Sequence, residues 1–355
     1  MPMGFPLDAE PHEKEEPRCG IFGRCGGCAY QHVTYEAELR LKSEGLRRVL
    51  TEKFSLEGVC VEPVTASPDI YHSRSRLDIS MVRRAGVLQA GFMTPGSKNL
   101  LEIDSCPIAR EEITRFIPEL KRQAEALFPP EYRTANLVVK TGDDGRVLWG
   151  GIGKRSLEMK PQDYFWTRIR GRKIFYSLDT FFQANLSILP LVMDKIEPLI
   201  PEDERDLFLD LYGGVGLFGI SLADLFRSVV VIEESPASIQ MAYYNRAAHD
   251  LGHVRVHEGR VEDALASTLA KKAAGTSAVA MIDPPRQGLS TSVLETLVRA
   301  KALKRLFYLS CNPESLARDL AVLTGGGWTL ERIMPFDFFP RTSHLETLAL
   351  LRPQL

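Results

Sequence analysis

The feature that most constrains this chain is an alternation of short apolar strands with helices, which begins near residue 181. Five apolar runs predict strands, over residues 207–211, 229–232, 254–257, 278–282 and 306–309. Helical stretches separate these runs, and successive parallel strands need such long crossover connections. The second half of the chain is therefore predicted to be a Rossmann-like domain of the α/β class, with a mainly parallel, doubly wound sheet.

The residues before this alternation divide into a tail and a smaller domain. Residues 1–18 are rich in proline and glutamate, which predicts a flexible tail. Turn signals at 84–86 and 142–145 lie between strand-like runs and predict two β-hairpins. Helices are expected over 34–53 and 110–128. We therefore expect a β-rich central domain over residues 19–180 and the Rossmann-like domain over 181–355, in line with a length of 355 residues.

Composition and charge restrict where the protein works. The chain is 44% hydrophobic and 25% charged, as in an ordinary soluble protein. No apolar run is long enough to cross a bilayer, and the N-terminus lacks the pattern of a signal peptide, so we expect a cytoplasmic protein with no membrane partner. The net charge of −2 hides a gradient: residues 19–180 hold 25 basic and 20 acidic residues, whereas residues 181–355 hold 17 and 21. The basic middle is the expected surface for nucleic acid.

A glycine-rich turn joins the first strand of the alternation to its helix. Its glycines let the backbone turn sharply and let a ligand approach the helix N-terminus. The spacing of Gly214, Gly216 and Gly219 also matches a dinucleotide-binding pattern, with Glu233 near the position of a ribose-binding acid, so NAD(P) stays an alternative. Asp210, directly before the turn, would repel a pyrophosphate, and this favours S-adenosylmethionine (AdoMet), which has no phosphate.

Two later strand ends carry reactive groups to the same edge of the predicted sheet. The fourth strand ends in Asp283-Pro-Pro-Arg, a rigid loop typical of transferases that act on amino groups or heteroaromatic rings, although Asp283 could instead cap a helix. The fifth ends in Ser-Cys311-Asn-Pro, and this turn favours a partly open nucleophile over an inert core cysteine. Cys60 lies between two valines and is expected in the core.

The other four cysteines have the pattern of a metal site. Cys19, Cys25 and Cys28 are close in sequence, and Cys106 is followed by proline. In a reducing compartment, clustered cysteines bind metal more often than they form disulfides. Both tetrahedral Zn²⁺ and a [4Fe–4S] cluster fit four thiolates. A zinc ribbon usually has two CxxC pairs, whereas the flanking glycines and the Cys-Pro ending favour iron–sulfur.

Together these segments resemble the RNA uracil-C5 methyltransferase family. The matching residues occur in family order: Cys19, Cys25, Cys28 and Cys106; 181–185 (FFQAN); 210–216 (DLYGGVG); Glu233; 283–286 (DPPR); 310–313 (SCNP); and 339–347 (FPRTSHLET). The resemblance implies AdoMet contacts from Gln183, Tyr212, Glu233 and Asp283, a nucleophile at Cys311, a general base at Glu346, and a [4Fe–4S] cluster on the four cysteines. Without it, Glu346 would be read as an exposed strand residue.

The implied activity is AdoMet-dependent methylation of C5 of a uridine in RNA. Attack of a thiolate on C6 activates C5, the methyl group is transferred, and a base removes the C5 proton so that the thiol can leave. Four cluster cysteines without an N-terminal β-barrel make the chain most similar to the 23S rRNA enzymes of the family, and tRNA is the alternative target. The sequence departs from the family at Leu217, where members often have asparagine, and at Gly213, where they often have cysteine.

RNA is the implied partner, and the target uridine is expected to be flipped out of its stack. Candidate phosphate contacts are the basic residues of the middle region: Arg74, Arg76, Arg83, Arg84, Lys154, Arg155, Arg168, Arg170, Arg172 and Lys173. The aromatic run 164–166 is expected mainly in the core. Two other classes stay open, an NAD(P)-dependent iron–sulfur oxidoreductase and a non-catalytic RNA-binding module. The oligomeric state is open, with a monomer favoured.

Overall fold

The computed structural model describes residues 10–55, 58–97, 99–151, 159–271 and 275–354. The strands are β1 Cys60–Val61, β2 Arg76–Arg84, β3 Val87–Met93, β4 Leu100–Glu102, β5 Thr134–Thr141, β6 Val147–Gly151, β7 Phe165–Ile169, β8 Arg172–Tyr176, β9 Leu207–Leu211, β10 Ser228–Glu233, β11 Val254–Glu258, β12 Ala278–Ile282, β13 Leu303–Ser310, β14 Trp328–Phe336 and β15 Glu346–Pro353. The α-helices are α1 Tyr35–Lys53, α2 Glu111–Leu127, α3 Leu189–Ile196, α4 Leu217–Ser221, α5 Pro236–Ala248, α6 Val261–Ala270, α7 Thr291–Arg299 and α8 Pro313–Gly325.

The larger sheet has eight strands in the order β1-β14-β15-β13-β12-β9-β10-β11. Strands β9 to β13 pair in parallel, and β15 runs antiparallel to both β13 and β14. Helices α3, α4 and α5 cover one face, and α1, α6, α7 and α8 cover the other. Every residue of β9 and β12 is buried between these layers, as continuous apolar strands require. The predicted Rossmann-like α/β domain is confirmed.

The smaller sheet is antiparallel, with strand order β4-β3-β2-β5-β6. Helix α2 packs on it and buries Ile113, Ile117 and Leu120 in a core separate from those of the larger sheet. The turn between β2 and β3 has Ala85 and Gly86 at positive φ, which suits a tight hairpin. Strands β7 and β8 form a separate hairpin. A second, β-rich region is thus present, as predicted.

Helix α1 and strand β1 precede residue 180 but pack with the larger sheet. Leu46 and Leu50 of α1 are fully buried in its core, and β1 pairs in parallel with β14. The division of the chain near residue 180 stays a prediction, and the larger core extends across it. Cys60 is exposed, so the expectation of a core cysteine is wrong. Strand β1 is a two-residue edge strand, where one side of the backbone faces solvent.

The segment expected to be a flexible tail has two parts. Residues 1–9 lie outside the described residues. Residues 10–18 contact the start of α1: Thr34 N donates to Glu13 O at 2.7 Å, and Arg40 pairs with the Glu13 carboxylate at 2.8 Å. No helix in the described ranges is long and apolar enough to cross a membrane.

Candidate active site

A cavity of about 650 Å³ lies at the carboxyl ends of β9, β10, β12 and β13. Parallel strands end at a common edge, where diverging connections leave a crevice. The lining includes all six residues predicted to act in catalysis or AdoMet binding: Gln183, Tyr212, Glu233, Asp283, Cys311 and Glu346. The fold thus brings together residues that are far apart in sequence, while their individual roles stay predictions.

The glycine-rich turn after β9 forms one wall of the cavity. Tyr212, Gly214 and Gly216 all have positive φ, so the backbone turns back sharply before α4. The Glu233 carboxylate accepts hydrogen bonds from Gly214 N and Ser235 N, both at 2.8 Å. Glu233 therefore braces the turn and also lines the cavity.

The packing behind this turn bears on Gly213 and Leu217, the two positions at which the sequence departs from the family pattern. A Cβ at Gly219 would lie 2.9 Å from Val231 Cγ2, and one at Gly213 would lie 2.6 Å from Val231 Cγ1. Both positions therefore need glycine unless Val231 moves. Leu217 is buried in the core, so this position offers no polar group to the cavity.

Asp210 does not line the cavity. Its carboxylate is fully buried behind the turn and accepts a hydrogen bond from Gly219 N at 2.7 Å. Burial raises the pKa of Asp210 well above its usual range, which favours the neutral acid. The expectation that its charge faces the ligand is therefore wrong, because the side chain points to the start of α4.

Asp283 lies at the floor of the cavity beside Gln183. Gln183 Nε2 donates to Asp283 Oδ2 at 3.1 Å, which joins the segment after β8 to the end of β12. Burial raises the pKa of Asp283 to about 7, and the hydrogen bond from Gln183 opposes this rise. Asp283 can therefore change its charge near neutral pH.

Cys311 directly follows β13, and Glu346 is the first residue of the neighbouring antiparallel strand β15. Strand β13 pairs with β15 so that Ser310 is opposite Thr347. Continued by one residue, this register places Cys311 opposite Glu346, because antiparallel partners advance in opposite directions. The sheet itself therefore sets the spacing of the predicted nucleophile and the predicted base.

Burial governs the charge of this pair. Burial and the nearby carboxyl groups raise the pKa of Cys311 to about 11, and the guanidinium of Arg286 opposes this rise. Burial and Asp283 raise the pKa of Glu346 well above its usual range, and its Oε2 has no hydrogen-bond partner among the described residues. Burial therefore favours the neutral thiol of Cys311 and the neutral acid of Glu346 in the ligand-free protein.

The cavity lining also contains residues that were not predicted as site residues, among them Phe181, Arg286 and His344. Phe181 is 65% exposed at the cavity wall, which is unusual for a large apolar side chain. Burial and nearby cations, Arg286 first among them, lower the pKa of His344, so its imidazole is neutral. All three lie inside the motifs quoted above, so the sequence signal was available.

A second cavity, of about 530 Å³, is lined by Cys19, Cys25, Cys28 and Cys106. All four thiols are free, and Cys106 is buried. Gln31 links the segment internally, because its Oε1 accepts from Cys19 N at 3.0 Å and its Nε2 donates to Cys28 Sγ at 3.2 Å. Within the described ranges, no three Cys, His, Asp or Glu side chains converge in a way that could hold a metal ion.

The predicted phosphate-binding residues are spread over several surfaces. Lys154 and Arg155 lie outside the described residues. Four others pair with carboxylates: Arg76 with Asp78, Arg83 with Glu125, Arg170 with Glu197 and Arg172 with Asp224. Tyr164 and Phe165 are buried, as expected, whereas Trp166 is half-buried with the Lys173 ammonium 3.9 Å from its ring centroid.

Comparison with known families identifies the chain. The model of the tRNA (uracil-5-)-methyltransferase family matches residues 153–354, more than half of the sequence. The chain belongs to this family. The resemblance stated from the motifs is thereby confirmed, and the protein is an AdoMet-dependent RNA uracil-C5 methyltransferase. Membership in this family does not fit the two other classes considered from the sequence, an NAD(P)-dependent oxidoreductase and a non-catalytic RNA-binding module.

The chain is also similar to curated relatives and to a solved structure. An uncharacterised RNA methyltransferase of Bacillus cereus (strain ATCC 10987 / NRS 248) is 27% identical over 403 residues, covering 97% of this chain and 85% of the relative. One from Halalkalibacterium halodurans is 27% identical over 404 residues, with the same coverage. The Pyrococcus abyssi tRNA (uracil-54, C5)-methyltransferase, solved with S-adenosyl-L-homocysteine, shares the fold with a TM-score of 0.69 and 22% identity over 92% of this chain and 85% of that one.

Proposed function

We propose that this methyltransferase modifies C5 of one uridine in 23S rRNA through a covalent adduct between Cys311 and C6. The observation that supports it most directly is that Cys311, directly after β13, and Glu346, at the start of the neighbouring β15, line the same cavity as the predicted AdoMet-binding residues. The four cysteines around one cavity support the rRNA branch of the family. The description of the matched family supports tRNA as the alternative target.

Cys311 starts the proposed reaction and Glu346 ends it. The Cys311 thiol first loses its proton to solvent. The thiolate then attacks C6 of the uracil, a C–S bond forms, and the electron pair of the 5,6 double bond moves to give an enolate at C5 and O4. After methylation of C5, the Glu346 carboxylate takes the C5 proton, the double bond re-forms, and the C–S bond breaks to release Cys311. Bound AdoMet supplies the methyl group through its sulfonium.

Four residues are proposed to hold AdoMet: Gln183, Tyr212, Glu233 and Asp283. Tyr212 and Gly214 of the glycine-rich turn line the cavity, and the positive φ angles of this turn let a ligand approach the backbone closely. When ionised, the carboxylates of Glu233 and Asp283 would attract the positive sulfonium and ammonium groups. The Gln183–Asp283 hydrogen bond fixes one of these carboxyl groups in place.

The reaction is tested with unmodified 23S rRNA and unmodified tRNA transcripts, each incubated with the protein and methyl-labelled AdoMet. We expect 5-methyluridine at one position of the rRNA. Methylation of tRNA alone would overturn the proposed target. Cys311→Ala should abolish product, while Cys60→Ala, which changes an exposed cysteine outside the cavity, should keep full activity.

Glu346→Gln separates the two proposed roles. Glutamine keeps the shape of the side chain but cannot accept the C5 proton, so the covalent RNA adduct should accumulate after methylation. Denaturing gels with labelled RNA measure this adduct directly. Cys311→Ala combined with Glu346→Gln should show none, and an adduct in that double variant would point to a different nucleophile.

We further propose that Cys19, Cys25, Cys28 and Cys106 bind a [4Fe–4S] cluster. Each thiolate of such a cluster binds a different iron atom, so the ligands surround a cavity instead of converging on one point. The cavity of about 530 Å³ that is lined by the four free thiols has room for such a cluster. The cysteines would have to lose their protons on binding, since burial raises the pKa of Cys28 to about 12.

Anaerobic purification tests the cluster. We expect a brown protein with visible charge-transfer absorption and about four iron and four sulfide per chain. Stoichiometric zinc without iron would contradict the proposal. Cys28→Ser should lose the absorption, whereas Cys60→Ser should keep it, and size-exclusion chromatography of the same samples tests the favoured monomer.

A further inference from the structure

The segment that leads to Glu346 is held from one side by the segment that carries three of the cysteines. Residues 337–346, here called the base segment, connect β14 to β15, and Phe339, His344 and Glu346 of this segment line the active-site cavity. Residues 19–30, here called the cysteine segment, line the second cavity. The two segments meet at Arg341.

The backbone of Arg341 forms the first part of this contact. Its carbonyl oxygen accepts hydrogen bonds from Ala29 N at 2.8 Å and Tyr30 N at 3.1 Å, the two residues that directly follow Cys28. Arg341 has φ +67°, in the left-handed region that a side chain rarely adopts. Such a conformation persists only where surrounding contacts fix it.

The side chain of Arg341 forms the second part. Arg341 is 3% exposed, and its guanidinium donates to Val33 O at 2.7 Å, to Tyr30 O at 3.3 Å and to Glu15 Oε2 at 3.3 Å. Both terminal nitrogens of the guanidinium are thus paired, whereas its buried Nε has no partner among the described residues. The paired nitrogens fix the side chain in place. Arg341 N in turn donates to Glu38 Oε1 of α1 at 2.7 Å.

These contacts leave the base segment little freedom of its own. Arg341 is five positions before Glu346, and Thr342 and His344 between them are joined by a hydrogen bond of 3.3 Å from His344 N to Thr342 Oγ1. A shift of the cysteine segment would therefore move Arg341 and, through this short link, the end of β15 where Glu346 lies.

We propose that Arg341 is a positioning residue that couples the order of the cysteine segment to the placement of the base Glu346. The catalytic part of this inference rests on the proposed function, because it takes Glu346 as the base. The structural part, a mechanical coupling of the two segments, stands without it. Arg341 does not line the active-site cavity, so its proposed effect on the reaction is exerted through the base segment.

Hydrogen–deuterium exchange of the full chain tests the coupling independently of catalysis. Arg341→Gly removes the guanidinium but keeps a residue that adopts positive φ without strain, so the fold should survive. We expect faster exchange over 337–347 in Arg341→Gly and also in Cys28→Ser, with unchanged exchange over 207–219. Unchanged exchange over 337–347 in both variants, or faster exchange throughout the chain, would overturn the coupling.

Activity and adduct formation test the consequence for catalysis. Misplacement of the base by about 1 Å should slow 5-methyluridine formation by up to about 100-fold. In Arg341→Gly we expect this loss together with accumulation of the covalent adduct, and an AdoMet Kd within about twofold of the original, since no predicted AdoMet contact moves. Loss of adduct and product together, or weakened AdoMet binding, would show a general structural defect and refute positioning.

Two further variants complete the experiment. Arg341→Lys keeps the charge and a long side chain, so it should retain more activity than Arg341→Gly. If Arg341→Gly does not fold, hydrogen–deuterium exchange, product and adduct formation, and the AdoMet Kd are measured on Arg341→Lys, and these results test the proposal. Arg205→Ala is the matched control, because Arg205 also donates to a backbone carbonyl, Ile200 O, but lies away from both cavities. If the unaltered protein forms no 5-methyluridine, the proposed function fails, while the exchange data still decide the coupling.

Discussion

At the scale of the single residue, the charge of Cys311 decides whether the reaction can start. With a pKa of about 11, the thiol is almost entirely protonated at pH 7.5, and a thiol is a poor nucleophile. In the cavity, the carboxyl groups of Glu346 and Asp283 help to raise the pKa of Cys311, and the guanidinium of Arg286 opposes this rise. A bound ligand with a positive charge would lower the pKa of Cys311.

This effect of ligand charge on the pKa of Cys311 predicts how ligands change the reactivity of Cys311 toward iodoacetamide. In the free protein the alkylation rate should rise about tenfold per pH unit between pH 7 and 9, because the thiolate fraction does. At pH 7.5, AdoMet should give an alkylation rate about tenfold above that with S-adenosylhomocysteine, which fills the same space without the sulfonium charge. Peptide mass spectrometry measures the rate at each cysteine, with the exposed Cys60 as internal reference. Equal rates with both ligands would contradict the electrostatic argument.

The sequence predicts the chemistry of residues better than their orientation. Cys311 and Asp283 were placed correctly at strand ends because the apolar runs before them are unambiguous. Asp210 follows the same logic but points away from the cavity, and Cys60 lies exposed between two valines. Which side of a strand is covered depends on its position in the sheet, and a single strand's sequence does not contain that position.

At the scale of elements, the smaller sheet anchors a loop of the active site. Lys140 of β5 is buried, and its Nζ donates to Ser177 O at 2.9 Å and Thr180 O at 2.6 Å. These carbonyls belong to the loop that leads directly to Phe181 and Gln183. Burial lowers the pKa of Lys140 to about 7, and the neutral amine still has an N–H for each carbonyl.

Lys140→Met is therefore expected to weaken AdoMet binding without unfolding the protein. Methionine fills a similar volume but leaves the carbonyl of Thr180 buried without its donor, which costs about 1–3 kcal/mol and loosens the loop that carries Gln183. Isothermal titration should show an AdoMet Kd raised about tenfold. The exposed Lys301→Met serves as control. An unchanged Kd in Lys140→Met would show that this anchor does not position Gln183.

The bounds of a strand can be predicted best where helices bury both of its faces. Strands β9 and β12 have the predicted bounds, because helices cover both faces and every residue is apolar or buried. Helix α4 has only five residues and ends at Ser221, where a 3-10 turn follows. Strand β14 was not predicted, since Glu331, Arg332 and Pro335 interrupt its apolar pattern. The register between β13 and β15, which places the two proposed catalytic residues, is a long-range property that local patterns do not contain.

At the scale of the whole molecule, a buried ion cluster joins the two ends of the chain. Lys42 of α1 is fully buried, and its Nζ lies 2.7 Å from both Glu38 Oε1 and Asp337 Oδ1, which is 295 positions later. Lys42 also donates to Phe339 O at 3.2 Å, and Tyr35 OH donates to Asp337 Oδ2 at 2.9 Å. These contacts hold the start of the base segment against α1. The N-terminal helix therefore packs against the segment that carries Glu346.

Removing the central cation should destabilise the protein in a pH-dependent way. Lys42→Met leaves two buried carboxylates facing each other, and the loss of one partner of a buried ion pair costs about 3–5 kcal/mol. Burial already raises the pKa of Glu38 to about 7 against the opposing charge of Lys42, so without Lys42 this pKa rises further above its unfolded value and the folded protein binds more protons. The loss of stability in urea unfolding should therefore be largest at pH 8 and shrink as the pH falls toward 6.

Two variants show whether charge or packing causes that loss. Lys42→Met combined with Glu38→Gln removes one of the repelling charges and keeps the oxygen that accepts from Arg341 N, so it should recover part of the stability at pH 8 and lose most of the pH dependence. Arg40→Met removes a surface cation of the same helix, which pairs with Glu13 and Glu44, and should cost at most about 1 kcal/mol. If the loss of stability in Lys42→Met is the same at pH 8 and pH 6, the Lys42 side chain stabilises this contact through packing and not through its charge.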